Sequence, residues 1–237
     1  MIPSRSHSRR RSNESLLVKI TVIRLVNPRV NKIDNGVNYE TYNKEEKCRR
    51  SYCTANCQDQ LKEDFVKINP QHTIPTIQDN DFVLWDSNAI VTYLVDKYAS
   101  DDNLYPKDLQ LRATINQRLI YNAAVLFTNL RNICRPILLG MEKTVPKEKI
   151  EQLENAIEIF DKLLEGKQWL VGDSYTLADI CSVTTISSLT TVLQLEKYPN
   201  VHAWVKRCEE QLPGYEKYNE PGNKELVDTF HQKVESS

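Results

Sequence analysis

Near the start of the chain, apolar and polar positions alternate with a period of two. Val18, Ile20 and Val22 face away from Lys19 and Thr21 within the β-branched run Leu16 to Val26, which predicts a strand. Asn27-Pro28 ends it. Val37 to Tyr42 alternates again after the turn pair Asn35-Gly36 and predicts a second strand. Only about eight residues separate the first run from that turn, too few for a crossover helix. Residues 43–60 are polar and carry no period. From Leu61 the pattern sharpens. Leu61 to Ile68 reads as the end of a helix stopped by Asn69-Pro70, and Thr73 to Ile77 and Phe82 to Trp85 as strands of a hairpin joined by Asp79-Asn80-Asp81. Ser87 is placed to cap a helix to about Tyr98, with Ile90, Tyr93, Leu94 and Tyr98 on one face. The polar stretch from Asp101 to Asp108 marks a domain boundary. Beyond it the period is helical throughout: Leu109 to Leu139, Lys147 to Leu164, Leu177 to Leu193, Val201 to Gln211 and a looser Lys224 to Val234. Prolines fall at or outside most of these ends, Pro136 excepted.

Composition narrows the classes. The 237 residues are 40% hydrophobic and 27% charged with a formal net charge of -1, which suits one large or two small domains with a real core. The apolar run Ile180 to Leu195 is broken by Ser and Thr, so no segment predicts a membrane span. The balanced charge argues against nucleic acid as a partner. Residues 1–15 differ from the rest: Arg5, Arg9, Arg10 and Arg11 interleave with Ser4, Ser6, Ser8 and Ser12. Such a segment buries no apolar surface and reads as a disordered basic tail. No amphipathic stretch accompanies it, and Lys19 and Arg24 interrupt any secretory core.

The six cysteines read as reduced thiols of an intracellular, cytoplasmic protein. Cys48, Cys53 and Cys57 lack a fourth ligand at zinc spacing, the nearest imidazole being His72, so no metal is expected. With 6 glycines, neither a dinucleotide fingerprint nor a P-loop is present, and no hydrolase signature occurs.

Chemistry concentrates in Asn69-Pro70-Gln71-His72-Thr73-Ile74-Pro75, Asp86-Ser87-Asn88-Ala89-Ile90 and Tyr93-Leu94-Val95-Asp96-Lys97-Tyr98, followed by Leu104-Tyr105-Pro106-Lys107-Asp108. Gln117-Arg118-Leu119, Val125-Leu126-Phe127, Thr176-Leu177-Ala178-Asp179 and Gln211-Leu212-Pro213-Gly214-Tyr215-Glu216 continue the series. In this order and spacing, over about residues 58 to 237, the chain resembles cytosolic glutathione transferases of the insect epsilon and delta classes. The resemblance implies an α/β thioredoxin-like N-terminal domain, residues 16–100, and an all-α C-terminal helical-bundle domain, residues 107–237, that binds the substrate. It also implies a homodimer.

The same resemblance assigns roles. Pro75 would be the family's cis-proline, exposing the backbone of Ile74 so that glutathione docks against it like a short added strand. Asp86 would balance the γ-glutamyl ammonium, Ser87 would bind the γ-glutamyl carboxylate at a helix start, and His72 would reach the glycyl end. Phe127, Arg131, Cys134 and Leu138 fall at steps of 4, 3 and 4, hence on one helix face. By resemblance that face lines the hydrophobic substrate site, with Arg131 near glutathione. Thr176 and Asp179 have capping-box spacing and are assigned to folding.

The chain departs from the family at one decisive place. Relatives carry a serine near the end of the first strand, whose hydroxyl favours the thiolate of glutathione over a thiol with a pKa of about 8.5. Here Leu25-Val26-Asn27-Pro28-Arg29 stands there, and Asn27 occupies the approximate position of the serine. Gln60 likewise stands where relatives carry a histidine, and residues 16–57 diverge as a whole. The expected function is conjugation of the glutathione thiolate to small apolar electrophiles in detoxication, with glutathione as co-substrate and no other cofactor. The alternative is a weakly catalytic or non-catalytic binder of glutathione or apolar ligands on the same fold.

Overall fold

The structure is a computed structural model and describes residues 59–235. The two strands expected at Leu16 to Val26 and Val37 to Tyr42, the basic tail, Asn27 and the cluster of Cys48, Cys53 and Cys57 lie outside the described residues. A 3-10 turn, Asp59–Leu61, leads into the short helix α1 (Glu63–Ile68). Strands β1 (Thr76–Asp79) and β2 (Phe82–Trp85) follow, then α2 (Ser87–Tyr98). The strands pair antiparallel, Thr76 opposite Trp85 and Asp79 opposite Phe82. Asn80 makes the turn with φ of 56°, a conformation that asparagine tolerates better than most side chains.

The first strand begins three residues later than its β-branched pattern predicts, because Thr73 is held in a loop. The buried Asn69 donates from Nδ2 to the Thr73 carbonyl and to the hydroxyls of Thr73 and Thr76, at 3.0, 3.1 and 2.8 Å. The Thr76 hydroxyl in turn donates to the Thr73 carbonyl. Ladder pairing can start only at Thr76.

Helix α2 buries Ile90, Val91, Leu94 and Val95, one stripe of a 3.6-residue period, with Tyr93 and Tyr98 half-buried at its margin. A clasp locks the hairpin to it. The Asp79 carboxylate, 2% exposed, accepts from the hydroxyls of Tyr93 (2.5 Å) and Tyr98 (2.8 Å) and from Lys97 Nζ (2.5 Å). Burial alone would raise the carboxyl's pKa, but these three donors outweigh it and hold it below the usual range.

Helix α3 (Leu109–Tyr121), a π-helical segment Asn122–Phe127 and α4 (Thr128–Leu138) form one continuous rod. Its junction to α2 is tied by Arg112, which pairs both its terminal nitrogens with Asp96, donates to the carbonyls of Tyr105 and Pro106, and stacks 4.0 Å over the Tyr105 ring. Pro136 sits inside α4, where it has no N–H for the carbonyl of Asn132. The Nζ of Lys149 donates to that carbonyl instead, at 3.2 Å. The rod ends at Gly140, whose φ of 70° closes a Schellman motif through Gly140 N–H to Ile137 and Met141 N–H to Pro136.

The remaining helices are α5 (Lys147–Leu163), α6 (Leu177–Ser188), α7 (Pro199–Gln211), α8 (Tyr215–Tyr218) and α9 (Glu220–Glu235). Helix α6 is the axis of the bundle: every residue from Leu177 to Ser187 is buried, as a helix without a polar face must be. Trp204 of α7 packs edge-on to Phe160 of α5 beside it, with ring centroids 5.5 Å apart. The expected capping box is present. Thr176 caps α6, and the buried Asp179 accepts from the N–H groups of Leu170 and Thr176 and from Trp204 Nε1, each at 2.9 Å. Helix α6 stops at Ser188 rather than Leu193 because the hydroxyls of Ser188, Thr190 and Thr191 bond back to carbonyls of the preceding turn, a local alternative to the helical ladder.

Candidate functional site at the open end of the hairpin

Three local features converge where β1 begins and β2 ends. Asn69 organises the loop before β1: besides its donations to Thr73 and Thr76, its Oδ1 accepts from Gln71 N–H, and its carbonyl accepts from His72 N–H. His72 is exposed and adopts φ of 44°. The Ile74–Pro75 bond that follows is cis, as the resemblance implies. Ile74 precedes the first ladder pair, and its backbone bonds to none of the described residues.

The register then does the positioning. Since Thr76 pairs with Trp85, Pro75 and Asp86 occupy adjoining positions just beyond the ladder, and Ser87 opens α2 beside them. The cap of α2 is Asp86, not Ser87 as its side chain suggested: Asp86 Oδ1 accepts from the N–H groups of Asn88 (2.8 Å) and Ala89 (3.3 Å). This leaves Ser87 as the first helical residue, and neither its hydroxyl nor its N–H bonds to a described residue. Asp86 holds φ of 70° and ψ of 121°, outside every well a side chain with a Cβ prefers, at a cost of about 1–3 kcal/mol. The Ser87 hydroxyl and N–H thus stand beside an exposed cap with no bond to a described residue, at the positive end of the α2 dipole.

On the rod, the four expected substrate-face residues separate by depth. Phe127 is 49% exposed at the end of the π-helical segment, while Cys134 is 5% exposed within the core and Leu138 is half-buried against it. Arg131 is exposed, on the wall of a cleft of about 470 Å³ with Asn129, Asn132, Arg135, Pro136, Lys149 and Gln152. The four share a helix face, but that cleft contains only Arg131 of them. Of the cleft's polar members only Arg131 stands out in the sequence. Asn69 and the Tyr93, Lys97 and Tyr98 partners of Asp79 fall within motifs there, but their hydrogen-bonding roles do not show, and Lys149 is only one of many surface cations.

Two buried acids behave oppositely. Burial pushes the Asp179 carboxyl up despite its four donors, whereas Asp79 is held down by its cationic and phenolic partners. Tyr98, desolvated and donating to Asp79, is pushed up to about 12. Both sets bind protein to protein. Among the described residues no group of three His, Cys, Asp or Glu side chains is placed to hold a metal, and no helix is long and apolar enough to cross a membrane.

Comparison with known proteins agrees with the geometry. The family described as Glutathione S-transferase, N-terminal domain, matches residues 36–97, and that described as Glutathione S-transferase, C-terminal domain, matches residues 120–211. Glutathione S-transferase 1 of Manduca sexta is 41% identical over 173 residues, which span 70% of this chain and 79% of the relative. Among solved structures, a delta-class glutathione transferase of Nilaparvata lugens is 31% identical with a TM-score of 0.74, covering 94% of each chain. An epsilon-class glutathione S-transferase of the housefly, Musca domestica, is 38% identical with a TM-score of 0.70, covering 75% of this chain and 83% of the other. The hairpin with its cis-proline and following helix is thus the latter part of a thioredoxin-like domain, the bundle is the C-terminal helical domain, and the chain belongs to the glutathione S-transferase family, among its insect delta and epsilon members.

Proposed function

We propose that this chain is a glutathione S-transferase that binds glutathione at the open end of the hairpin and joins its sulfur to apolar electrophiles. The observation that carries the reading is the division of labour at α2: Asp86 takes the cap, so the Ser87 hydroxyl and N–H are left for a ligand. There they would receive the γ-glutamyl carboxylate, with the outer oxygen of Asp86 facing the ammonium. The backbone of Ile74, before Pro75, would bond the cysteinyl unit as an added strand does, and His72 would lie toward the glycyl end.

The chemistry is nucleophilic displacement or addition. Loss of the thiol proton to solvent gives the thiolate, a carbon–sulfur bond forms at the electrophile, and a leaving group, where there is one, departs with its electron pair. A donor to the sulfur favours the thiolate. Asn27 occupies the approximate position of the relatives' serine in the sequence and carries an amide N–H, and the sulfur donor itself is left unassigned. Phe127, Arg131, Cys134 and Leu138 belong to the face that receives the acceptor substrate; the exposed ring of Phe127 is apolar surface suited to such a molecule. Glutathione is the co-substrate, no further cofactor is invoked, and the setting is a cytoplasmic homodimer active in detoxication.

The test is conjugation of glutathione to a generic aryl halide, run beside retention on immobilised glutathione. Turnover by the wild-type chain, lost together with retention in Ser87→Ala, supports the reading. Retention without turnover would reassign the protein as a binder, and absence of both would defeat the proposal. A gain of activity in Asn27→Ser would place residue 27 beside the sulfur.

A further inference from the structure

The cleft between α4 and α5 carries two guanidinium groups that bond to none of the described residues, Arg131, which it shares with the expected substrate face, and Arg135, which it does not. Arg131 and Arg135 lie one turn apart on the exposed side of α4, a repulsive like-charge arrangement on a helix. Neither guanidinium has a hydrogen bond or ion pair among the described residues. Arg135, in the last turn of α4, is favoured by the carbonyl end of that helix, but Arg131 stands mid-helix without that compensation.

The opposite wall is α5. There Lys149 is pinned by its bonds to the Asn132 carbonyl, freed by Pro136, and to both oxygens of Glu142 at 3.1 and 3.0 Å. Glu142 thereby neutralises Lys149, and among the described residues no carboxylate lines the cleft. Asn129, Asn132 and Gln152 complete the walls with amides, and Pro136 is the one apolar contributor. A volume of about 470 Å³ is that of a small-molecule site, whose walls set guanidinium and amide groups at the ends of apolar side-chain stems. On a helical wheel the cleft lies on the shoulder of α4 away from Cys134, with Arg131 on the ridge between the cleft and the expected substrate face.

We propose that this cleft binds a small, multiply charged oxyanion, held by the forks of Arg131 and Arg135 with the amides completing its shell. Guanidinium forks suit planar carboxylates and tetrahedral phosphates alike, so the shared chemistry is the polyanionic oxygen cluster. Arg131 is shared with the proposed substrate face, and Arg135, which belongs to the cleft alone, separates the two.

The test uses the full chain and three probes, citrate, inorganic phosphate and pyrophosphate, titrated calorimetrically at low ionic strength, with the arginine side-chain N–H resonances followed by NMR. At least one probe is expected to bind, to shift two arginine Nε–H signals, and to weaken as salt is added. The preferred probe tells carboxylate from phosphate chemistry. Arg135→Gln should weaken binding about tenfold or more, the loss expected for a charge-assisted contact. Arg135→Lys should recover part of it, and the surface change Lys206→Gln should have no effect. Ser87→Ala should keep the affinity of wild type; if it abolishes binding, the anion sits at the start of α2 and the proposal falls. It falls equally if no probe binds, or if affinity is the same in Arg135→Gln. Should that variant alter only the sedimentation of the protein, the cleft is a contact between copies rather than an anion site.

Discussion

Three helices among the described residues start on an aspartate at or near the cap, Asp86, Asp108 and Asp179, and the first and last of these use it in opposite ways. At α6, Asp179 is fully buried and its oxygens are consumed by Leu170, Thr176 and Trp204. At α2, Asp86 is exposed, holds a strained backbone, and spends one oxygen on the helix while Ser87 beside it stays open. The first start ties three segments of the bundle together; the second leaves donors facing outward. A helix N-terminus therefore keeps donors for a ligand only where the fold does not satisfy them, and sequence spacing alone does not tell the two apart.

The largest effect should come from the buried start. Asp179→Ala strands the N–H of Leu170 and the Trp204 indole N–H in the core and removes half a capping box, a combined loss of roughly 3–5 kcal/mol. Denaturant unfolding would show it as a lowered midpoint; a shift no larger than that of a surface substitution would erase the contrast.

At the open start the loss should appear in binding instead. Ser87→Ala is expected to reduce glutathione affinity by about 10–100-fold, the range of a hydrogen bond to a charged group, with stability unchanged. Steady-state kinetics at varied glutathione and a thermal melt read the two quantities separately. Asp86→Gly sharpens this further. Glycine accepts φ of 70° without strain and costs only a few tenths of a kcal/mol as a cap. The variant should melt at the wild-type temperature or slightly above it, while retention on immobilised glutathione falls.

The smallest effect separates the Asp79 clasp from both. The pKa of Asp79 is lowered on folding, so its contribution is present above the unfolded value of 3.8 and is lost as pH falls through the lowered value. In Asp79→Asn, hydrogen exchange of the hairpin amides should be faster near neutrality and should lose part of its dependence on acid below that point. Equal acid slopes in both proteins would remove Asp79 from the account. At the alkaline end, Tyr98 adds a contribution held below its ordinary 10.0 and lost as pH rises through about 12.

Much of this architecture is legible in the chain because local physics and tertiary packing agree there. The helices from Leu109 onward, the hairpin strand Phe82–Trp85, and the Thr176 to Asp179 box follow from apolar period and capping chemistry, and the structure places them within a few residues. The misplacements have one cause. Thr73 reads as a strand residue, Ser87 as a cap and Leu193 as helical because each pattern is local. In the folded protein Asn69, Asp86 and the Thr184 to Ser188 carbonyls supply competing hydrogen bonds.

The site divides along the same line. The residues named in it, His72, Ile74, Pro75, Asp86 and Ser87, stand in the sequence as one matched motif, since a cis-proline and a helix-start serine need only a short stretch of chain to specify them. Their adjacency is the work of the β1–β2 register, which sets Pro75 beside Asp86. The cleft shows in the sequence only through Arg131, because its other walls come from two helices and a carbonyl that a proline released. By itself the sequence determined the family, the order of the helices and which residues are proposed to meet glutathione. Only the tertiary structure decided which caps were used up and which stayed open, because hydrogen-bond satisfaction in a folded chain depends on partners distant in sequence.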